Sequence, residues 1–170
     1  MEYSSLHETP FFRNLARLEA PFARTPPDVV VEALRLAEAR PGELLIDLGS
    51  GDGVVLMVAS RMGLRCIGYE VDERLYRLSR ALVEAEGLEG LITIYNEDFM
   101  EADLSEADIV YAYLTPTVLG AVEEKVSSEC REGARVVCFR YPLPNMEPLA
   151  TRPTPYGPIY LYVPQALRLK

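Results

Sequence analysis

The chain of 170 residues has no tryptophan, one histidine (His7), three cysteines and two lysines, Lys125 and Lys170. The shortage of histidine and cysteine excludes several chemistries. His7 with the scattered thiols Cys66, Cys130 and Cys138 builds no zinc site, no Cys–His couple and no Ser–His–Asp triad, so no metal is expected. Cys66 and Cys138 stand in apolar strand patterns, where a free thiol behaves as a small hydrophobe. No apolar run approaches the roughly eighteen residues of a membrane span, and no signal-peptide pattern opens the chain. A cytoplasmic location without a membrane partner is therefore the expectation. A net charge of −9 and a pI near 4.7 argue against the broadly basic surface that nonspecific nucleic-acid binding requires. A monomer is the expected state.

What is present is organised around Leu44 to Gly53, LLIDLGSGDG. An apolar run leads into glycines at 49, 51 and 53, and a second apolar run starts at Val54. This reads as a buried strand, a tight turn and a helix, with glycines where a Cβ would block the bend or a ligand's approach. Glu70 closes the next strand pattern twenty-one residues after Gly49. A carboxylate there suits the hydroxyls of a ribose.

The rest of the chain repeats the alternation. Thr25-Pro26-Pro27-Asp28 predicts a helix start with Thr25 as N-cap, and Pro41-Gly42 its end. Strands are expected over Leu44–Leu48, Arg65–Glu70, Leu91–Tyr95, Ile109–Tyr113 and Ala134–Arg140. Between them lie a helix over Val54–Arg61, one capped by Asp72 with Leu75, Leu78, Ser79 and Leu82 on one face, and one over Pro116–Cys130 with Val118, Val122 and Val126 inward. Six of the thirteen prolines then fall between Pro142 and Pro158, before a last strand pattern at Ile159–Val163. The expected fold is α/β: a Rossmann-like parallel sheet with helices on both faces and a C-terminal antiparallel hairpin. Residues 1–24 are expected to form an N-terminal arm or lid, and residues 25–170 the domain.

The ligand is a nucleoside of a particular kind. A dinucleotide turn carries its third glycine one helical turn further on, where this chain has Val54. Asp47, just before the turn, would repel a pyrophosphate but would suit an amine. S-adenosylmethionine (SAM) has an adenine, a ribose, a sulfonium and an α-amino acid end, and needs no phosphate cradle. Asp98 and Phe99, after the third strand, supply an acceptor for the adenine amine and an apolar surface with a backbone N–H.

The span from Asp47 to Glu70 resembles the class I SAM-dependent methyltransferases. The segments PFARTP (21–26), DLGSGDG (47–53), GYEVDERL (68–75), EDF (97–99), ADIVYAYL (107–114) and FRYPLP (139–144) resemble one branch of them. That branch holds the small archaeal protein-lysine methyltransferases and the mitochondrial lysine methyltransferases related to them. The resemblance covers residues 21 to 165. It implies a SAM site made of Thr25, Asp47, Gly49, Ser50, Gly51, Glu70, Val71, Asp98 and Phe99, and a lysine-bearing protein as partner. Two positions depart from the branch: Asn145-Met146 replaces an apolar or aromatic residue, and Val54 stands where arginine is common.

Methyl transfer to lysine needs a neutral amine held in line with the donor, and an apolar aromatic channel lowers the ammonium pKa by desolvation. Tyr113 and Thr115 at the end of strand four and Tyr141 after strand five are the candidates for that channel, while Tyr111 reads as core. No Asn/Asp-Pro-Pro-Tyr tetrad is present, which favours an aliphatic amine over a planar one. The alternatives are a methyltransferase acting on RNA or a small molecule, and a SAM-binding module without catalysis.

Overall fold

A computed structural model describes residues 24–164. The arm expected over residues 1–24 lies outside it except for Arg24, which bears on the site described below.

The elements in chain order are α1 (Pro27–Leu36), β1 (Leu44–Leu48), α2 (Val54–Arg61), β2 (Arg65–Tyr69), α3 (Glu73–Ala85), β3 (Ile92–Tyr95), a short 3₁₀ turn (Phe99–Glu101), β4 (Ile109–Ala112), α4 (Pro116–Glu129), β5 (Arg135–Phe139), β6 (Ala150–Arg152) and β7 (Ile159–Tyr162). They form one seven-stranded sheet in the order β3-β2-β1-β4-β5-β7-β6. The first five strands pair in parallel, and β7 is antiparallel to both β5 and β6. The expected fold is therefore present, including the hairpin made by the proline-rich segment. The chain winds outward from β1 to β3, then returns to place β4 on the other side of β1. The order in which strands are added thus reverses between β1 and β4, which stay parallel, and ligands of open α/β sheets bind at the carboxyl ends of such a switch point.

Strand alternation sorts the core into two layers. Leu45, Ile109, Tyr111, Val137 and Phe139 face α1 and α2. Leu44, Ile46, Leu48, Val110, Val136 and Cys138 face α4. Helix α2 is buried from Val54 to Ser60, as an apolar run wedged between sheet and α1 must be. All three cysteines are buried and free, and burial pushes Cys138 up to about 12 and Cys130 up to about 11. They are packing groups.

Several local expectations are corrected. Pro26, not Thr25, holds the N-cap position of α1, and no side chain caps it. Thr25 lies one residue too early, and its hydroxyl instead shares a hydrogen bond of 3.0 Å with the Tyr111 hydroxyl. Helix α1 ends at Leu36, before Pro41. On α3 the fully buried residues are Ser79 and Val83, while Leu75, Leu78 and Leu82 are only half-buried. On α4 the buried set is Leu119, Val122, Lys125 and Val126, and Val118 turns toward the cleft. Asp72 caps α3 as expected, accepting from the N–H groups of Arg74 and Leu75. Glu70 and Tyr113 stand one residue past the ends of β2 and β4, where side chains leave the sheet and reach its rim.

Candidate active site

The turn after β1 is built by glycine. Gly49, Gly51 and Gly53 all have positive φ, at +78°, +57° and +85°. Gly49 and Ser50 donate their N–H groups to the carbonyl of Tyr69 at 3.0 and 2.9 Å, which ties the turn to the end of β2. Glu70 completes the tie. Its Oε1 accepts from the Gly51 N–H at 2.8 Å and its Oε2 from the Asp72 N–H at 2.9 Å. The carboxylate is buried, yet each oxygen keeps lone pairs for a further donor. Gly68 on β2 lets Ser50 come this close.

Two spaces that share Gly49, Gly51 and Tyr113 in their walls open at this rim. The larger is a cleft of about 710 Å³, within the usual size of a small-molecule site. Gly49, Gly51, Glu70 and Val71 line it from the β1–β2 side, and Asp98 and Phe99 from the 3₁₀ turn. Tyr113 and Thr115 line it from the end of β4, and Tyr141 from beyond β5. The smaller space, about 30 Å³, is lined by Thr25, Asp47, Ser50, Gly49, Gly51 and Tyr113. All twelve predicted site residues therefore reach one rim, divided between a wide cleft and a narrow extension below the glycine turn.

The extension is polar and tight. Asp47 is 3% exposed and faces the α1–α2 layer, the side of β1 that Leu45 also faces. No donor among the described residues bonds its carboxylate. Burial pushes this carboxyl well above the ordinary range, and the nearby Glu70 and Asp52 carboxylates push it further. The Ser50 hydroxyl is also buried without a hydrogen-bond partner among the described residues. An unpaired acid and an unpaired hydroxyl in one small buried space fit a ligand that brings an ammonium and polar oxygens, as the amino acid end of SAM does. Arg24 and Asp52 line the same space and form an ion pair, Nε to Oδ2 at 2.6 Å. Burial raises the Asp52 carboxyl, and the Arg24 guanidinium opposes that rise. Sequence reasoning missed both residues. Arg24 sits in the PFARTP segment without periodicity to mark it, and Asp52 reads as a turn residue.

Asp98 is exposed and has a structural duty: its Oδ1 accepts the Met100 N–H at 2.9 Å, starting the 3₁₀ turn. Thr115 shares a hydrogen bond of 2.9 Å with Thr117. Tyr111 is core, as expected, with burial raising its phenol. Arg140 was also missed. It lines the cleft, and its Nη1 donates to the Tyr113 hydroxyl at 2.9 Å. The unusual Asn145-Met146 pair has a role away from the cleft: their N–H groups and the Asn145 amide all bond the Glu123 carboxylate, fastening the proline-rich segment to α4.

The charge state of Asp47 gives a first expected result. Its folded carboxyl lies above its ordinary value of 3.8, so the ligand-free protein loses stability as pH rises from that value through the raised one. Asp47→Asn should raise the stability of the ligand-free protein at neutral pH, because the amide carries no charge to bury. The difference between wild type and variant should shrink toward about pH 4. Thermal melts across pH, with SAM binding measured beside them, check this. A variant less stable than wild type at neutral pH would refute the buried-charge account.

A family model described as ANTKMT methyltransferase domain matches residues 47–150. The chain is similar to mouse adenine nucleotide translocase lysine N-methyltransferase, 36% identical over 143 residues, covering 83% of this chain and 62% of that protein. It is similar to a protein-lysine N-methyltransferase of Saccharolobus islandicus, 29% identical over 149 residues, covering 84% of this chain and 92% of that one. The chain thus spans under two thirds of the mouse relative's length and nearly all of the archaeal one's. Among solved structures it is similar to one named as an RNA methyltransferase from Salinibacter ruber in complex with S-adenosyl-L-homocysteine. That structure gives a TM-score of 0.79 and 31% identity, over 83% of this chain and 93% of that one.

Proposed function

Because the chain belongs to the ANTKMT methyltransferase domain family, we propose that it is a SAM-dependent protein-lysine N-methyltransferase. The observation that carries this reading is the two-sided cleft at the β1/β4 switch point. One side holds the glycine turn and the carboxylates of Glu70 and Asp98. The other, formed by Tyr113, Leu114, Val118, Ala121 and Tyr141 among others, holds no carboxylate and no histidine among the described residues. Relatives named as lysine N-methyltransferases, at 36% and 29% identity, support a lysine acceptor.

SAM supplies, when bound, a methyl carbon already activated by its positive sulfur. The chain's own residues then have three tasks: holding the donor, aligning the acceptor and excluding water. Glu70 would hold the ribose hydroxyls while it braces the glycine turn. Asp47 would pair with the ammonium, with Ser50 and the backbone of Gly49 and Gly51 beside it and Thr25 closing the far wall. Asp98, Phe99 and Val71 would take the adenine end. Tyr113, Thr115 and Tyr141 would line the acceptor channel. There an amine stripped of water gives up its proton more readily, and the proton leaves to solvent.

The test is incubation with radiolabelled SAM and core histones, with bulk RNA and a metabolite extract in parallel. Label on lysine side chains is the expected result. Label on RNA alone or on a small molecule alone would overturn the lysine reading. The RNA arm matters because the similar solved structure is named as an RNA methyltransferase. In the same assay Tyr113→Phe should leave SAM affinity within about twofold of wild type and lower turnover about tenfold, the worth of one lost hydrogen bond at the acceptor end. A loss of SAM affinity instead would move Tyr113 to the donor site.

A further inference from the structure

Arg140, just past β5, has a φ of +68°, a left-handed conformation that side chains other than glycine and asparagine seldom take. The Tyr141 N–H donates to the Phe139 carbonyl at 2.9 Å, so Phe139–Tyr141 is a γ-turn with Arg140 at its centre, in the rarer and strained hand. Its neighbours hold it there. The Arg140 N–H donates to the Pro158 carbonyl at 2.8 Å. Gly157, at a φ of +130°, packs so tightly that a Cβ on it would lie 2.9 Å from Arg140 Cγ.

The strained turn aims two side chains at one place. Arg140 and Tyr141 both line the cleft, and Arg140 reaches the Tyr113 hydroxyl at 2.9 Å. Phe139 packs edge-on against the Tyr113 ring with centroids 4.8 Å apart, fixing it from below. A backbone conformation that costs free energy and is locked by its surroundings marks a place where position matters.

We propose that Arg140 is a positioning residue for the methyl acceptor, acting through the Tyr113 hydroxyl. This rests on the lysine reading above. Guanidinium has donors only, so Tyr113 must be the acceptor in their bond. The phenol proton is thereby turned away from Arg140, and one lone pair stays open for an N–H of the incoming amine. Arg140 is also the only cation lining the cleft among the described residues. Its fixed charge beside the acceptor disfavours the ammonium form and favours the neutral amine that attacks. Among the described residues, the other charged and titratable groups on the cleft are Glu70 and Asp98, on the donor side, and the phenols of Tyr69, Tyr113 and Tyr141. Both oxygens of Glu70 are engaged by backbone N–H groups and Asp98 caps the 3₁₀ turn, so Arg140 has the acceptor end to itself.

Three variants test this: Arg140→Gln, Arg140→Lys and Arg140→Gly, assayed with core histones as the lysine probe. SAM affinity by calorimetry should stay within about twofold in all three. Arg140→Gly should melt at or above wild type, since glycine takes this φ without strain. Its turnover should nonetheless fall about tenfold or more, as should that of Arg140→Gln. In both, the ascending limb of the pH–kcat profile should move up by about one pH unit, because an amine without the neighbouring cation holds its proton longer. Arg140→Lys, which keeps a donor and a charge, should recover part of the turnover and of the limb. An unshifted limb, unchanged turnover, or turnover that merely follows the melting temperature would overturn the proposal, as would weakened SAM affinity. Wild-type enzyme that leaves histone lysines unlabelled would overturn the lysine reading itself, which the other outcomes do not touch.

Discussion

Glu70→Ala is expected to weaken SAM binding at least about 100-fold in a calorimetric titration, the largest loss expected of any substitution on the donor side. The wild-type carboxylate accepts from the N–H of Gly51 at 2.8 Å and of Asp72 at 2.9 Å, and it would accept the ribose hydroxyls as well. Hydrogen bonds to a charged group contribute about 1.5–3 kcal/mol each. Alanine removes the ligand contact and also frees the glycine turn that positions the donor. Part of the loss should therefore appear in the ligand-free protein as a lower melting temperature. Glu70→Gln keeps an acceptor oxygen but turns the other position into a donor that faces a backbone N–H, so its loss should be intermediate. Affinity unchanged in the alanine variant would remove Glu70 from the ribose site.

Gly68→Ala should also weaken the site, though less than Glu70→Ala and though residue 68 touches no ligand in this reading. A Cβ there would lie 2.6 Å from Leu56 Cδ1, 2.7 Å from Ser50 Oγ and 2.8 Å from Ser50 Cβ. Leu56 is fully buried on α2 and Ser50 is held by its N–H bond to Tyr69, so neither can step aside freely. Overpacking of this kind costs about 1–3 kcal/mol. The turn must shift outward, which carries Gly49, Ser50 and Gly51 away from the cleft. A drop in melting temperature together with about tenfold weaker SAM binding is the expected outcome in paired melting and titration experiments. A variant as stable and as tight-binding as wild type would mean that the β2–turn packing does not set the site.

The donor side was more legible in the sequence than the acceptor side. Apolar runs of strand length, glycines at 49, 51 and 53, and acids at the run ends follow from local backbone rules, and the five parallel strands, β7 and the four helices have their origin in them, whereas β6 and the 3₁₀ turn carry no such pattern. Helix faces were read less well. Lys125 on α4 is an example: it is buried with its Nζ bonded to the Met100 carbonyl at 2.9 Å and to Glu129 at 2.7 Å, and no periodicity marks a charged residue as inward. The same limit applies to Thr25, which reads as a helix cap until β4 brings the Tyr111 hydroxyl within 3.0 Å.

By itself the sequence determined the strand–turn–helix framework, the parallel sheet with its terminal hairpin, and the acids that ring the glycine turn. Those depend on neighbours along the chain, where side-chain period and glycine's freedom at positive φ act directly. The tertiary structure alone decided which polar groups meet. Arg24 with Asp52, Thr25 with Tyr111, and Arg140 with Tyr113 are each joined across different elements of the fold. Nothing local fixes such pairs. They exist because sheet order places β1, β4 and β5 side by side, and because a strained turn after β5 carries its arginine back over the rim.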